Sequence, residues 1–299
     1  MRRAVSYNMS LMARKKIFLF DIPASAGCLE TGTELSPRHF RDNGIIPALR
    51  GAGFDVADLG AVAVPSGRRH NETPVRNWPM PRAAWRRAEA FIKKLPRGCG
   101  RGLLLCLGGD CSMITGAVSG MIGRLGADKI HVICLDGDAD ALAPDPETCV
   151  GAAAMGLWML THKSAFWRGK LPPGNITVIG AKKKPSAVSG IACVPLGELK
   201  SRGIARAARA ALAAVAPCRK LFVHFDVDVL ARDAMPAAYA PRRAGLSLCE
   251  TEQILKLLLS DKRTVFLEIS EFMPARDKSG AHARAIIALL CRALRGIKL

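Results

Sequence analysis

Residues 136–147 read DGDADALAPDPE, three alternating aspartates with a glutamate closing a twelve-residue window. This is the spacing of a calcium loop, which takes oxygen ligands at positions 1, 3, 5 and 12 and a glycine at 6 for its sharp turn. Counted from Asp136, the acids fall at Asp136, Asp138, Asp140 and Glu147. Position 6, however, is Ala141, and prolines stand at 144 and 146. The preceding KIHVICL reads as a strand, where a calcium-binding helix–loop–helix requires a helix. The calcium reading fails, and the aspartates are better read as one part of a site assembled from distant segments.

Four acid-bearing motifs each follow an apolar run directly. LLLCL leads into GGDCS (108–112), HVICL into DGDAD (136–140), LFVHF into DVD (226–228) and VFLEI into SEFMP (270–274). In an open α/β sheet, ligands collect beyond the carboxyl ends of the strands. If the chain stays extended, side-chain alternation places Asp136, Asp138 and Asp140 on one face, and His224, Asp226 and Asp228 on another. Taken singly, each acid reads as a helix cap or solvated turn. Together, five converging aspartates repel one another, and a divalent cation is the usual remedy. His224 is the one histidine two residues before a metal-type aspartate on the same strand. It is a candidate proton donor or an orienting partner for a carboxylate, against the plainer reading of a histidine satisfied by the neighbouring strand.

The elements that must position these residues alternate along the chain. Strands are predicted at 17–20, 103–107, 131–135, 176–179, 221–225 and 265–269, short and mostly apolar as in parallel strands covered on both faces. Helices are predicted at 36–50, 82–95, 112–125, 203–215, 249–260 and 280–295. Ser36 is read as an N-cap with Pro37 at the first helical position. The alternation predicts one α/β domain with a parallel sheet over 1–299, with 1–15 a flexible extension and 60–80 a long Gly-, Pro- and Asn-rich loop.

Composition limits the alternatives. The 299 residues suffice for a sizeable core, and hydrophobic residues at 49% exclude a disordered chain. The net charge of +19 invites a polyanion partner. The basic residues are scattered, however, with no zinc finger or RNP-type motif and only two Tyr and four Trp for stacking, so a cationic surface is expected rather than nucleic-acid binding. Ten cysteines without a CxxC pair predict reduced, mostly packed thiols in a cytoplasmic protein. No signal peptide or membrane-length apolar run is visible.

The order of motifs resembles the arginase/agmatinase/formimidoylglutamase family, the ureohydrolases. GTELSPRHFRDNGI (32–45) is similar to the family's N-terminal Gly-to-Pro-to-helix segment. GGDCS is similar to its Gly-Gly-Asp-His-Ser, DGDAD to its Asp-Ala-His-x-Asp, HFDVD…AP to its Ser-x-Asp-x-Asp segment leading towards Ala-Pro, and LEISEFMPARD to its Glu-x-x-Pro-x-x-Asp. The resemblance implies a single three-layer α/β/α domain with a parallel sheet of about eight strands. It also implies two Mn²⁺ ions bridged by a hydroxide that attacks a guanidinium carbon and releases urea. The implied ligands are Cys111, Asp136, Asp138, Asp140, Asp226 and Asp228, with Glu271 holding the guanidinium. The implied partners are a small guanidino-type substrate and further copies of the chain in a homo-oligomer, with no membrane.

The departures are specific. Cys111 and Asp138 stand where the family has histidines, Ala153 and Gly156 stand at the shuttle histidine and proline of its His-Gly-x-Pro, and Cys149 and Gly151 stand at the arginine-binding Ser and Asn. The substituted ligands leave the site more negative and weaken a bound metal as a Lewis acid. One or two divalent ions per chain are expected, most naturally manganese, although a Cys111 thiolate would favour Zn²⁺ or Fe²⁺. Cysteine at the first ligand position, H-x-D-x-D later and no shuttle histidine also resemble a branch acting on N-omega-hydroxy-L-arginine. N-hydroxylation makes a guanidinium less basic and lessens the need for proton assistance. Three readings remain: a divergent amidinohydrolase, with His224 and Glu271 as its catalytic residues; an inactive protein of the same fold with a vestigial metal site; and a polyanion binder.

Overall fold

A computed structural model describes residues 15–65, 70 and 74–296, so most of the 1–15 extension and part of the 60–80 loop lie outside the described residues. Eight strands form one sheet in the order β2-β1-β3-β8-β7-β4-β5-β6. They are β1 (Lys15–Ile22), β2 (Phe54–Ala61), β3 (Leu103–Gly108), β4 (Ile130–Leu135), β5 (Ile176–Ile179), β6 (Ala192–Val194), β7 (Lys220–Asp226) and β8 (Thr264–Ser270). Every adjacent pair is parallel. The helices are α1 (Ser36–Asp42), α2 (Ile45–Gly51), α3 (Met80–Lys94), α4 (Met113–Leu125), α5 (Gly156–Thr161), α6 (Leu196–Ser201), α7 (Ile204–Ala213), α8 (Leu248–Ser260) and α9 (Ala281–Leu294).

The pleat divides the apolar strands between two cores. Leu105, Leu107, Val223, Phe225, Leu267 and Ile269 pack with Phe40 of α1, Leu49 of α2, Ala207 of α7, Leu255 of α8 and Ile286 of α9. Their sequence neighbours Leu104, Cys106, Phe222 and Phe266 face the other way, onto Trp85 of α3, Val118 of α4 and Leu160 of α5. This is the expected three-layer α/β/α sandwich. The central strands are buried throughout, which is why they read as unbroken apolar runs.

Three local readings need correction. The predicted 36–50 helix is two helices, broken at Asn43 and Gly44, whose φ of 86° lies in the left-handed region. Ser36 lies inside the first turn of α1, the N-cap is Leu35, and no side-chain cap bond forms. A full capping box occurs instead at α8, where Ser247 Oγ accepts from Glu250 N at 3.2 Å and Glu250 Oε2 accepts from Ser247 N at 2.8 Å. Strands β2 and β6 and helices α5 and α6 went unread, because β2 is a half-exposed edge strand and the other three span only three to six residues. None of the ten cysteines is in a disulfide, and five of them are buried. Among the described residues, no helix is long and apolar enough to cross a membrane.

His131 on β4 illustrates what burial costs a titratable group. Its Nε2 lies 2.8 Å from Thr177 Oγ1, and the ring is buried. Burial first, then Arg219 and Arg263, push its pKa from 6.5 down to about 4. A depressed histidine stabilises the fold fully above its unfolded pKa and loses that contribution as pH falls towards the folded value. Relative to His131→Gln, the parent is expected to lose about 3 kcal/mol between pH 7.5 and pH 4. Denaturant unfolding of both proteins across that window is the check, and parallel stability curves would refute it.

Candidate metal centre

The centre begins at the turn after β3. Gly109 passes so close to Ala24 that an added Cβ would lie 1.8 Å from the Ala24 carbonyl oxygen. This approach lets Asp110 N donate to Ala24 O at 2.9 Å, while buried Asp110 accepts from Gly27 N and Ser112 N, each at 3.0 Å. Asp110 therefore ties the loop after β1 to the turn and aims Cys111 into the middle of the sheet's carboxyl edge. Cys111 Sγ lies 2.7 Å from Asp226 Oδ2, 3.3 Å from His224 Nε2 and 3.2 Å from Ser270 Oγ.

Strands β7 and β8 supply the far side. His224 Nδ1 lies 2.8 Å from Glu268 Oε2, so a carboxylate orients the ring and leaves Nε2 towards Cys111. Asp226 Oδ1 accepts from Asp228 N at 2.7 Å and starts a single 3₁₀ turn, Val227–Val229. Asp228 thus arrives by a turn, not by strand alternation. Its Oδ1 accepts from Gly137 N at 3.0 Å. Across the gap, Asp136 Oδ1 accepts from Asp138 N at 2.8 Å.

Two groups of donor atoms result. One atom each from Asp136, Asp226 and Asp228 lie within 4.8 Å of one another, and so do one each from Cys111, His224 and Asp226. Asp226 is the shared member. Burial pushes the carboxyls of Asp136, Asp140 and Asp226 well up, and their acidic neighbours add to the rise. Burial raises Asp228 as well, but Arg242 opposes it. Burial, then Asp226 and Glu271, push the Cys111 thiol up, which leaves its S–H free to donate to Asp226. Three buried, mutually repelling carboxylates fit a hard divalent cation. The sulfur and imidazole beside them fit a softer one, with Glu268 as the outer partner of the histidine.

Asp138 does not join Asp136 as an extended chain would require, whereas Asp140 does come to lie beside Asp136 and Cys111. The chain leaves β4 in a turn, and Asp140 takes a φ of 41°. The Asp138 carboxylate is 46% exposed and pairs with Arg242 Nη2, while Arg242 Nε donates to Asp228 Oδ2 at 3.1 Å. Asp140 is half-buried and lines a cavity of about 200 Å³ together with Cys28, Asp226, Asp228, Tyr239 and Glu271.

Glu271 also holds a left-handed backbone, φ 62°. A non-glycine residue there costs on the order of 1 kcal/mol and persists only where its surroundings hold it. They do so here: Glu271 N donates to Gly109 O at 2.9 Å, Tyr239 N donates to Glu271 O at 2.6 Å, and Cys111 N donates to Glu271 Oε1 at 2.8 Å. Cys28 Sγ adds a longer contact of 3.5 Å to the same oxygen. Burial, then Asp110, push the Glu271 carboxyl up. Gly151 and Ala153, at the expected substrate and shuttle positions, form cavity wall without a titratable group.

Sequence reasoning missed Glu268, Arg242, Cys28 and Tyr239. Glu268 left a signal, an acid inside the apolar VFLEI run. The others left none that distinguishes them.

The Arginase family model matches residues 15–295. The arginase of Bacillus subtilis strain 168 is 22% identical over 292 residues, covering 92% of this chain and 97% of that protein. The arginase of Agrobacterium fabrum is 26% identical over 285 residues, covering 89% and 87%. The solved arginase of Bacillus caldovelox superposes with a TM-score of 0.83 at 22% identity, covering 95% of this chain and 99% of that one.

Proposed function

Because the chain belongs to the arginase family, whose members are hydrolases of carbon–nitrogen bonds in linear amidines, we propose that it is a metal-dependent amidinohydrolase cleaving a guanidino or hydroxyguanidino compound to urea or a urea derivative. The observation that supports this most is that the cavity lined by Glu271 is also lined by Asp226 and Asp228, two of the three members of the Asp136, Asp226 and Asp228 cluster. The three aspartates would hold the cation, with Cys111 and Asp140 beside it as further donors. When bound, a divalent ion lowers the pKa of water and polarises the guanidinium carbon. Manganese suits the carboxylates, and a borderline ion such as Zn²⁺ suits the cysteine and histidine.

The chain's own groups do the rest. Glu271 pairs with the planar guanidinium cation through a charge-assisted, forked contact. His224 takes the place of the missing shuttle: Glu268 fixes Nδ1, and Nε2 is the atom that gives a proton to the departing nitrogen. With Cys149 and Gly151 at the positions expected to bind an arginine α-amino acid head, the substrate's remote end is held differently from arginine's. A homo-oligomeric, cytoplasmic protein belongs to the same reading, and ten cysteines outside any disulfide agree with a reducing setting.

Arg242 favours a second reading, an inactive protein of the same fold, because it neutralises site acids without a metal. Elemental analysis of protein purified without chelator, with a urea-release assay across guanidino and hydroxyguanidino compounds, separates the two. About one divalent ion per chain and measurable urea release are expected, and His224→Asn should keep the ion while turnover falls by about 10²-fold. Protein with no ion, no rise in melting temperature on adding Mn²⁺, Zn²⁺ or Mg²⁺, and no urea release is the inactive homologue.

A further inference from the structure

We propose that the Arg242 guanidinium is a built-in cation occupying the place of one of the two metal ions of a dinuclear centre, so that the chain binds a single divalent ion at Asp136, Asp226 and Asp228. The inference rests on the metal-dependent reading above and specifies its stoichiometry. Asp138 and Asp228 are both expected metal ligands, and Arg242 engages both, Nη2 on Asp138 and Nε on Asp228 at 3.1 Å. A guanidinium presents its donors in a flat fork that matches two carboxylates, and it stays charged at any pH the protein survives. Its positive charge offsets the extra acid at 138, and the carboxylate oxygens it holds are withdrawn from a second ion.

Gly137 leaves room for both members of this pair. A Cβ added there would lie 2.7 Å from Asp228 O, 2.8 Å from Asp228 Oδ1 and 2.9 Å from Arg242 Cδ. The motif that DGDAD resembles carries alanine at this position and histidine at the next. A neutral imidazole offers a metal its lone pair but offers a guanidinium no charge, whereas a carboxylate does. Glycine at 137 and aspartate at 138 are therefore two departures that suit one partner, Arg242. Arg242 is about a third exposed (29%) and reaches the cluster from the pocket side, so its removal opens the position to solvent and ions.

The test is ion stoichiometry, read by elemental analysis after equilibration with excess Mn²⁺ and gel filtration. Parent protein is expected to hold one ion per chain and Arg242→Met two, with folding confirmed by circular dichroism. If Arg242→Met does not fold, Arg242→Gln replaces it, since its neutral amide can still hydrogen-bond Asp138 and Asp228 while the positive charge is gone. One ion in parent and in the folded variant alike overturns the proposal, as do two ions in the parent. No ion in either protein overturns both the proposal and the metal-dependent reading. No ion in the parent but one in the variant likewise overturns the proposal, because the parent then lacks the single ion it requires.

Discussion

Asp226→Ala is expected to abolish divalent-ion binding, and with it the rise in melting temperature that the ion gives the parent protein. Asp226 is the one residue common to both groups of clustered donor atoms, so neither group survives its loss. An ion that binds only the native state stabilises by about 2.7 kcal/mol when present at a hundred times its Kd. The variant should show none of this. The metal-free variant should nonetheless fold, because Asp226 stands among Asp228, Glu271 and Asp140, and its removal relieves their repulsion. The relief offsets the lost hydrogen bonds from Cys111 Sγ and Asp228 N. Thermal melts of both proteins over an Mn²⁺ titration give the answer. A variant with the parent's full metal-dependent shift would place the ion elsewhere.

Glu271→Gln should leave the ion in place and lower kcat/KM for the preferred guanidino compound by about 10²-fold or more. Glu271 belongs to neither group of clustered donors, so the substitution touches recognition and not ion content. Glutamine is the same size, and its carbonyl oxygen can keep the hydrogen bond from Cys111 N. What disappears is the charge, and truncating one partner of a buried charge pair costs roughly 2–5 kcal/mol. Steady-state kinetics with metal content measured on the same preparation provide the check. A kcat/KM equal to the parent's would remove Glu271 from substrate binding.

The parts of the centre that were legible in the sequence are those that parallel strands dictate. An apolar run followed by an acid marks a buried strand and the residues just past its carboxyl end, and Asp136, Asp226 and Glu271 stand out that way, whereas Cys111 stands out only through the resemblance of GGDCS to Gly-Gly-Asp-His-Ser. Beyond the strand ends, alternation stopped being a guide. It placed Asp138 beside Asp136, yet the left-handed Asp140 turns the chain and leaves Asp138 facing Arg242. Asp228 reaches the cluster because a 3₁₀ turn carries it there. Turn geometry of this kind depends on tertiary contacts, such as Gly137 N on Asp228, that no local pattern encodes. Arg242 was hidden for a related reason. It is one of 44 basic residues, and its partner Asp138 lies 104 positions away. His224 was singled out by its spacing from Asp226, but the Glu268 that orients it comes from a neighbouring strand, through a register only the folded sheet defines.

The sheet order also has a consequence for how the centre comes into being. Strand β8 is last in the chain, yet it lies in the middle of the sheet, between β3 and β7. Until residues 264–270 are in place, β1, β2 and β3 form one ribbon and β4, β5, β6 and β7 another, each with an unpaired inner edge. Exposed edges of this kind attract wrong partners during synthesis. Cys111 lies beyond one ribbon and Asp136 and Asp226 beyond the other, and the strand carrying Glu268, Ser270 and Glu271 is the zip that closes them. Long-range parallel pairing is slow to form. The centre is therefore conditional on a single late strand: without β8 the acids of the two ribbons stay apart, and its insertion brings them into one site.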